Sequence, residues 1–305
     1  MLTDFLSVND LSLYEFNTLL DLTEKIKAKP SRYQKELKGK VLAMIFEKPS
    51  LRTRMTFEVG MLQLGGKAVY LSPSDIQIGS RESVPDIGKN LERWVDGIMI
   101  RTFAHQNAVD MAQAAEIPVI NALTDLLHPC QAMADFFTLR EKKGALSNLK
   151  LAFIGDGNNV CHSLLLAAAK AGTIMNIATP SGYEPSPDIL QLAEKAGEET
   201  GFKVSLTTEP QVAVQDADAV YTDVWTSMGQ ESEKESKSKI FIPYQVNSQL
   251  MDMAKKDALF MHCLPAHRGD EVTDDVIDSE NSVVFDQAEN RLHVQKAIML
   301  LLLGR

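Results

Sequence analysis

Two α/β domains of similar size are what this sequence predicts, each a mostly parallel sheet flanked by helices, with the second Rossmann-like. Three observations lead there. The 305 residues exceed what one hydrophobic core usually organises, so two domains of roughly 150 residues are the default. Short apolar runs alternate with helical stretches along the chain, as a parallel sheet covered on both faces requires. The alternation then starts afresh at Leu149, after one long helical segment over 131–143. The bounds expected are 1–140 and 141–290, with 291–305 a C-terminal helix packing back on the first domain.

Taken in order, 12–29 sets Leu13, Phe16, Leu19, Leu20, Leu22 and Ile26 at helical spacing. Val41–Phe46 is an unbroken apolar run bounded by Lys40 and Pro49, a buried strand. Met55, Val59 and Leu62 return to helical spacing until Gly65 and Gly66 end the element. The stretches 69–71, Gly97–Arg101 and 118–121 read as strands, and 111–115 as helix. In the second round, strands are expected over 151–154, 175–178, 204–207, 217–222 and 259–262, and helices over 161–171 and 190–200. The polar stretch 227–239, with Gly229 third, reads either as a solvated loop feeding a helix or as a lid over a substrate.

Composition narrows the function. With 31 Lys and Arg against 41 Asp and Glu, the net charge is −10. That balance argues against nucleic acid or an anionic membrane as partner, yet leaves room for a local basic pocket. The longest apolar run, 297–303, is far short of the roughly 20 residues of a spanning helix. The first residues carry no basic stretch of the kind that opens a secretory signal. Three cysteines (130, 161, 263) are too few and too scattered for a disulfide framework, so a cytoplasmic location is expected.

Three segments carry chemistry. In the first, 46–54 (Phe-Glu-Lys-Pro-Ser-Leu-Arg-Thr-Arg), a strand turns into a helix. Ser50 suits the N-cap, and the N–H groups of Leu51, Arg52 and Thr53 would point outward at the positive end of the helix. With the hydroxyls of Ser50 and Thr53 and one guanidinium, this makes an anion cradle without a glycine-rich loop. Arg52 and Arg54, two apart, cannot share a ligand. Arg52 is assigned to the anion and Arg54 to a structural pair. The bland alternative is a capped helix with surface arginines.

In the second segment, 127–135, Pro129 fits the first helical position and sets His128 and Gln131 on one face. The helix dipole would keep His128 neutral, so imidazole and amide could both donate to a carbonyl. The alternative is a histidine capping its own helix. Cys130 looks like packing. In the third, 259–267, His262 and Cys263 are consecutive and face opposite ways on a strand. That weakens both a His/Cys catalytic pair and a metal site, and no metal is expected. Arg101 and Asp223 end strands, Asn159 stands at a loop-to-helix step, and Arg291 precedes the last helix, where a surface arginine is the plainer reading.

The turn Gly155-Asp-Gly-Asn-Asn159 resembles a dinucleotide fingerprint but fails in detail. Val160 stands at the third glycine position, and Thr179-Pro180 replaces the ribose-binding acid after the next strand. Group transfer fits these sites better than redox chemistry.

The strings 46–54, 128–135, 223–229, 262–265 and 288–291, in this order, resemble the ornithine carbamoyltransferases of the aspartate/ornithine carbamoyltransferase family along essentially the whole chain. The resemblance implies a first domain that binds carbamoyl phosphate. Ser50, Leu51, Arg52 and Thr53 would surround the phosphate, with Arg101, His128 and Gln131 at the carbamoyl group and Arg291 near its oxygen. Gln77 would reach into a neighbouring subunit's site, because the family assembles as a homotrimer with shared active sites, higher assembly being left open. The second domain would bind L-ornithine through Asn159, Asp223, Ser227 and Met228, with Cys263 and Leu264 lining the path of the side-chain amine and also facing carbamoyl phosphate. Arg101, His128, Asp223 and Cys263 would be the catalytic set, with no cofactor and a place in arginine biosynthesis. The Leu264–Pro265 bond is expected to be cis. One departure stands out: the family commonly has Thr where this chain has Leu51, which removes a hydroxyl but keeps the backbone N–H.

Rival readings are a non-enzymatic binding protein, a dehydrogenase of the same plan, and a carbamoyltransferase for a modified or shortened ornithine analogue.

Overall fold

A computed structural model describes residues 2–76, 78, 81–226 and 234–304. The chain divides into two compact units, Met1–Phe137 with Glu289–Arg305, and Thr138–Ala288.

The first unit opens with α1 (Leu13–Ala28), followed by β1 (Val41–Phe46), α2 (Leu51–Gln63), β2 (Lys67–Leu71), α3 (Pro73–Ile76) and α4 (Val84–Leu91). Then come β3 (Gly97–Arg101), α5 (His105–Ala114), β4 (Val119–Leu123) and the start of α6 (Pro129–Lys143). The N-terminus of α1 is a capping box: Glu15 N–H donates to Ser12 Oγ, and Ser12 N–H donates to Glu15 Oε2. Its apolar stripe, Phe16, Leu19, Leu20 and Ile26, is buried. The four strands are parallel in the order β2-β1-β3-β4. The unbroken apolar sequences of β1 and β3 follow from burial on both faces of a central strand.

The second unit begins within α6 and continues through β5 (Lys150–Ile154), α7 (Asn159–Ala171), β6 (Ile174–Ala178), α8 (Pro187–Gly197), β7 (Lys203–Thr207), α9 (Pro210–Val214) and β8 (Ala219–Thr222). It ends with α10 (Lys234–Phe241), α11 (Ser248–Met251), β9 (Leu259–Met261), α12 (Asp274–Ile277) and the first residues of α13 (Val284–Leu303). The sheet is parallel, ordered β7-β6-β5-β8-β9. In chain order that is 3-2-1-4-5, the doubly wound arrangement. Open α/β sheets bind ligands where the strand order reverses. That point lies between β1 and β3 in one unit and between β5 and β8 in the other.

Several details differ from the sequence reading. The α4 helix had no place in it, although Ser83 caps it and Val84, Ile87 and Leu91 form a buried stripe. The α8 helix starts three residues earlier than expected, with Ser186 at the N-cap and Pro187 at the first helical position. It stops at Gly197, where an added Cβ would lie 2.5 Å from Phe202. Strand β8 starts at Ala219 rather than 217, because Ala217 N–H turns back to Val214 O. The last helix begins at Val284, so Arg291 lies two turns inside it and is 2% exposed, not on the surface. Its final turns pack in the first unit, where Gly60 and Gly97 admit Met299 and Leu303.

Candidate active site

In the first unit the candidate residues converge on the strand ends at the β1/β3 switch. Ser50 caps α2: Thr53 N–H donates to Ser50 Oγ at 3.3 Å. This corrects one expectation. An N-cap hydroxyl bonds the third helical N–H, so the Thr53 amide is engaged in the cap rather than directed at an anion. The Thr53 hydroxyl gains in exchange. Its Oγ1 accepts from Ser50 Oγ at 3.1 Å and from Arg291 Nη2 at 2.9 Å. A hydroxyl has two acceptor positions and one hydrogen, so that hydrogen is left to donate elsewhere. Leu51 is 74% exposed at the start of the helix. Arg54 turns away, donating to Glu58 at 3.3 Å and stacking on Tyr70 at 4.0 Å.

Arg101, His128 and Gln131 are all buried. Gln131 donates to Asp135 Oδ1 at 2.8 Å, and its own buried carbonyl oxygen has no hydrogen-bond partner among the described residues. His128 is neutral, but the helix dipole is not the main reason. Burial pushes its pKa well below the ordinary histidine value, and the guanidiniums of Arg291, Arg101 and Arg52 push it the same way. Three guanidiniums thus act on one buried imidazole in a protein whose net charge is −10. Cys130 is packing: its thiol donates to Asn121 O at 3.4 Å, and burial pushes its pKa up to about 12.

The depressed histidine has a consequence for stability. Protons bind the unfolded chain better than the native one below the unfolded pKa of about 6.5. Stability conferred by a neutral His128 is therefore complete above that pH and is lost as pH falls. Each such proton steepens the loss by about 1.4 kcal/mol per pH unit. Urea denaturation at pH 7.0, 6.0 and 5.5 should show this decline, and His128→Asn should make it shallower. His105 and His293, also lowered by burial, would account for the remainder.

In the second unit the switch point is bridged by a hydrogen bond. Asn158 caps α7, accepting from the N–H groups of Val160 and Cys161, and its amide donates to Asp223 Oδ2 at 2.7 Å. Cys263 donates its thiol hydrogen to Asp223 Oδ1 at 3.1 Å. Asp223, buried at the end of β8, thus holds groups from the loops after β5 and β9. Asn159, the residue singled out in the sequence, is the first residue of α7. Its neighbour Asn158 makes the bridge, and the only signal for it was the N-cap preference of asparagine.

Strand β9 stops at Met261, one residue short of the expected 262, so His262 and Cys263 both lie past its end and the opposed facing expected of neighbours on a strand does not apply to them. Leu264 N–H donates to His262 Nδ1 at 2.8 Å, so Nε2 carries the proton and donates to the fully buried Glu271 at 3.1 Å. Asp223, His262 and Cys263 bring ligand atoms within 4.8 Å of one another. Cys263 is bonded to Asp223, whereas His262 is bonded to Leu264 and Glu271, so an ion at this place would have to displace the bond at Nδ1 and the one made by the thiol hydrogen. Leu264 holds φ at 59°, and its bond to Pro265 is cis. The dinucleotide reading fails structurally as well. Gly157 lies against residues 183–185, where a Cβ would come within 2.4 Å of Pro185 N, so the chain's own backbone fills the space a pyrophosphate needs. Gln77, Ser227, Met228 and Gly229 lie outside the described residues.

The family profile described as aspartate/ornithine carbamoyltransferase, carbamoyl-P binding domain, matches residues 3–141, and the Asp/Orn binding domain profile matches 147–302. The chain belongs to the aspartate/ornithine carbamoyltransferase family. It is similar to the ornithine carbamoyltransferase of Thermococcus kodakarensis, 54% identical over 99% of this chain and 96% of the relative. The ornithine carbamoyltransferase of Halalkalibacterium halodurans is 55% identical over 98% of this chain and 95% of its own length. Among solved structures, ornithine carbamoyltransferase from Pyrococcus furiosus superposes with a TM-score of 0.95 at 51% identity, covering 99% of this chain and 97% of that one. Among the described residues, no helix is long and apolar enough to cross a membrane.

Proposed function

We infer that this protein transfers the carbamoyl group of carbamoyl phosphate to the side-chain amine of L-ornithine, giving L-citrulline and phosphate. The observation that carries the chemistry is a buried imidazole, kept neutral, among Arg52, Arg101 and Arg291 at one end of a parallel sheet. Such a site suits a small dianion bearing a carbonyl.

The first unit would hold carbamoyl phosphate. The N-terminus of α2, Ser50 and Arg52 would take the phosphate, and Arg101, His128, Thr53 and Arg291 would surround the carbamoyl oxygen. The unpartnered Gln131 oxygen is an acceptor for the carbamoyl NH₂. The second unit would hold ornithine at Asp223, Asn159 and Cys263, with Ser227, Met228 and Leu264 assigned by the resemblance. The amine lone pair attacks the carbamoyl carbon and the C–N bond forms. Negative charge gathers on the carbonyl oxygen, where preorganised donors stabilise it. The C–O bond to phosphate then breaks, and the departing phosphate takes the amine proton. A homotrimer with shared sites, Gln77 crossing between subunits, and a cytoplasmic location complete the reading.

Colorimetric detection of citrulline from carbamoyl phosphate and L-ornithine tests it. Turnover with ornithine should exceed that with L-aspartate or shortened diamino acids. Faster carbamoylation of any of these, or no citrulline at all, would retire ornithine as the acceptor.

A further inference from the structure

Lys48 is 5% exposed although it lies in a loop. It is two residues past β1 and two before Ser50. Burying an ammonium costs several kcal/mol unless it is well paired, so the local geometry has to explain it. Its Nζ donates to Asp125 Oδ1 and sits 4.1 Å from the centroid of the Phe103 ring. The preceding residue makes a parallel set of contacts. Glu47 N–H donates to Arg101 O at 2.8 Å, and Glu47 Oε2 accepts from the Thr102 hydroxyl and from Phe103 N–H. Asp125 N–H in turn donates to Phe103 O at 2.8 Å. Asp125 lies in a turn closed by Thr124 N–H to Leu127 O and by Leu127 N–H to Thr124 Oγ1. The next residue is His128.

Three loops therefore meet at one side chain: the loop that carries the α2 cap, the loop leaving Arg101, and the turn leading into His128. We propose that Lys48 is a positioning residue for the anion half-site, cross-linking these loops so that the α2 N-terminus, Arg101 and His128 keep one spacing. The proposal rests on the carbamoyl phosphate reading above only for the identity of the anion. Misplacement by about 1 Å is enough to cost a transfer site on the order of a hundredfold.

Lys48→Met, Lys48→Arg, Asp125→Asn and Phe103→Leu, made in the full chain, test this through the Kd for inorganic phosphate by calorimetry and both substrate KM values. Lys48→Met should raise the phosphate Kd and the carbamoyl phosphate KM about tenfold or more, with the ornithine KM within about twofold. Asp125→Asn and Phe103→Leu should move phosphate affinity the same way by about threefold, and Lys48→Arg should restore part of it. A merely structural role would lower Tm and weaken both substrates alike, overturning the proposal. So would a phosphate Kd in Lys48→Met within about twofold of the parent. Tighter phosphate binding in Asp125→Asn would also overturn it, because an ammonium released from its carboxylate would then be the ligand itself. A wild type that makes no citrulline while these Kd shifts appear would retire ornithine as acceptor and support the positioning role.

Discussion

Replacing Arg101 with methionine should lower kcat for citrulline formation by about 10²–10³-fold while phosphate binding largely survives. The side chain ends β3, is 7% exposed, and lies close enough to His128 to depress its pKa. In the transfer step its charge matters most when the carbonyl oxygen becomes anionic, so its loss should appear in kcat more than in ground-state affinity. Methionine keeps the apolar stem and removes only the fork of donors. Arg52→Ala supplies the contrast. Arg52 is half-buried at the start of α2 and is assigned to the leaving phosphate, so this change should raise the KM for carbamoyl phosphate and abolish stabilisation by phosphate. At about 100 times Kd a ligand stabilises its protein by about 2.7 kcal/mol, a shift that a thermal melt resolves readily. Equal loss of phosphate stabilisation in both variants, with kcat for Arg101→Met within about threefold of the parent, would mean that the two arginines serve one general field.

Much of this site was legible in the sequence because its parts sit at strand-to-helix junctions. The run Val41–Phe46 emerges as β1 with the same bounds, and the Ser50 cap follows from residue type alone. The buried state of Arg291 was not legible. Its neighbours Glu289 and Asn290 are polar, and the helix that contains it starts at Val284, so only tertiary packing brings it against Thr53. The neutrality of His128 was anticipated from the dipole, yet burial and three arginines distant in sequence are the stronger causes. Spacing along a chain reports local fields well and long-range fields poorly. The same limit hid Glu271, whose partner His262 is nine residues away across a loop, and the Lys48 cross-link, which spans three separate loops.

Replacing Asp223 with asparagine should damage ornithine use far more than carbamoyl phosphate use. An ionised carboxylate has about four acceptor positions. Asn158 and Cys263 each occupy one here, leaving others for an ammonium or amine. Truncating one partner of a buried charge pair costs about 2–5 kcal/mol, which lowers kcat/KM for ornithine by a factor of about 30 to 5,000. The KM for carbamoyl phosphate should stay within about twofold, since that substrate is assigned to the other unit. Cys263→Ala removes a thiol and should cost less, about 10–100-fold in the same parameter, within the roughly 1.5–3 kcal/mol of a hydrogen bond to a charged group. The pH dependence separates orientation from base catalysis. An ornithine amine with pKa near 10.4 must be neutral to attack, so kcat/KM should rise about tenfold per pH unit below that value. Because the titrating group belongs to the substrate, Cys263→Ala should keep that slope. If the slope disappeared, a Cys263 thiolate would be taking the proton, and the leaving phosphate would lose that role. Equal weakening of both substrates in Cys263→Ala would instead make the thiol part of the packing, with Asp223 alone orienting the amine.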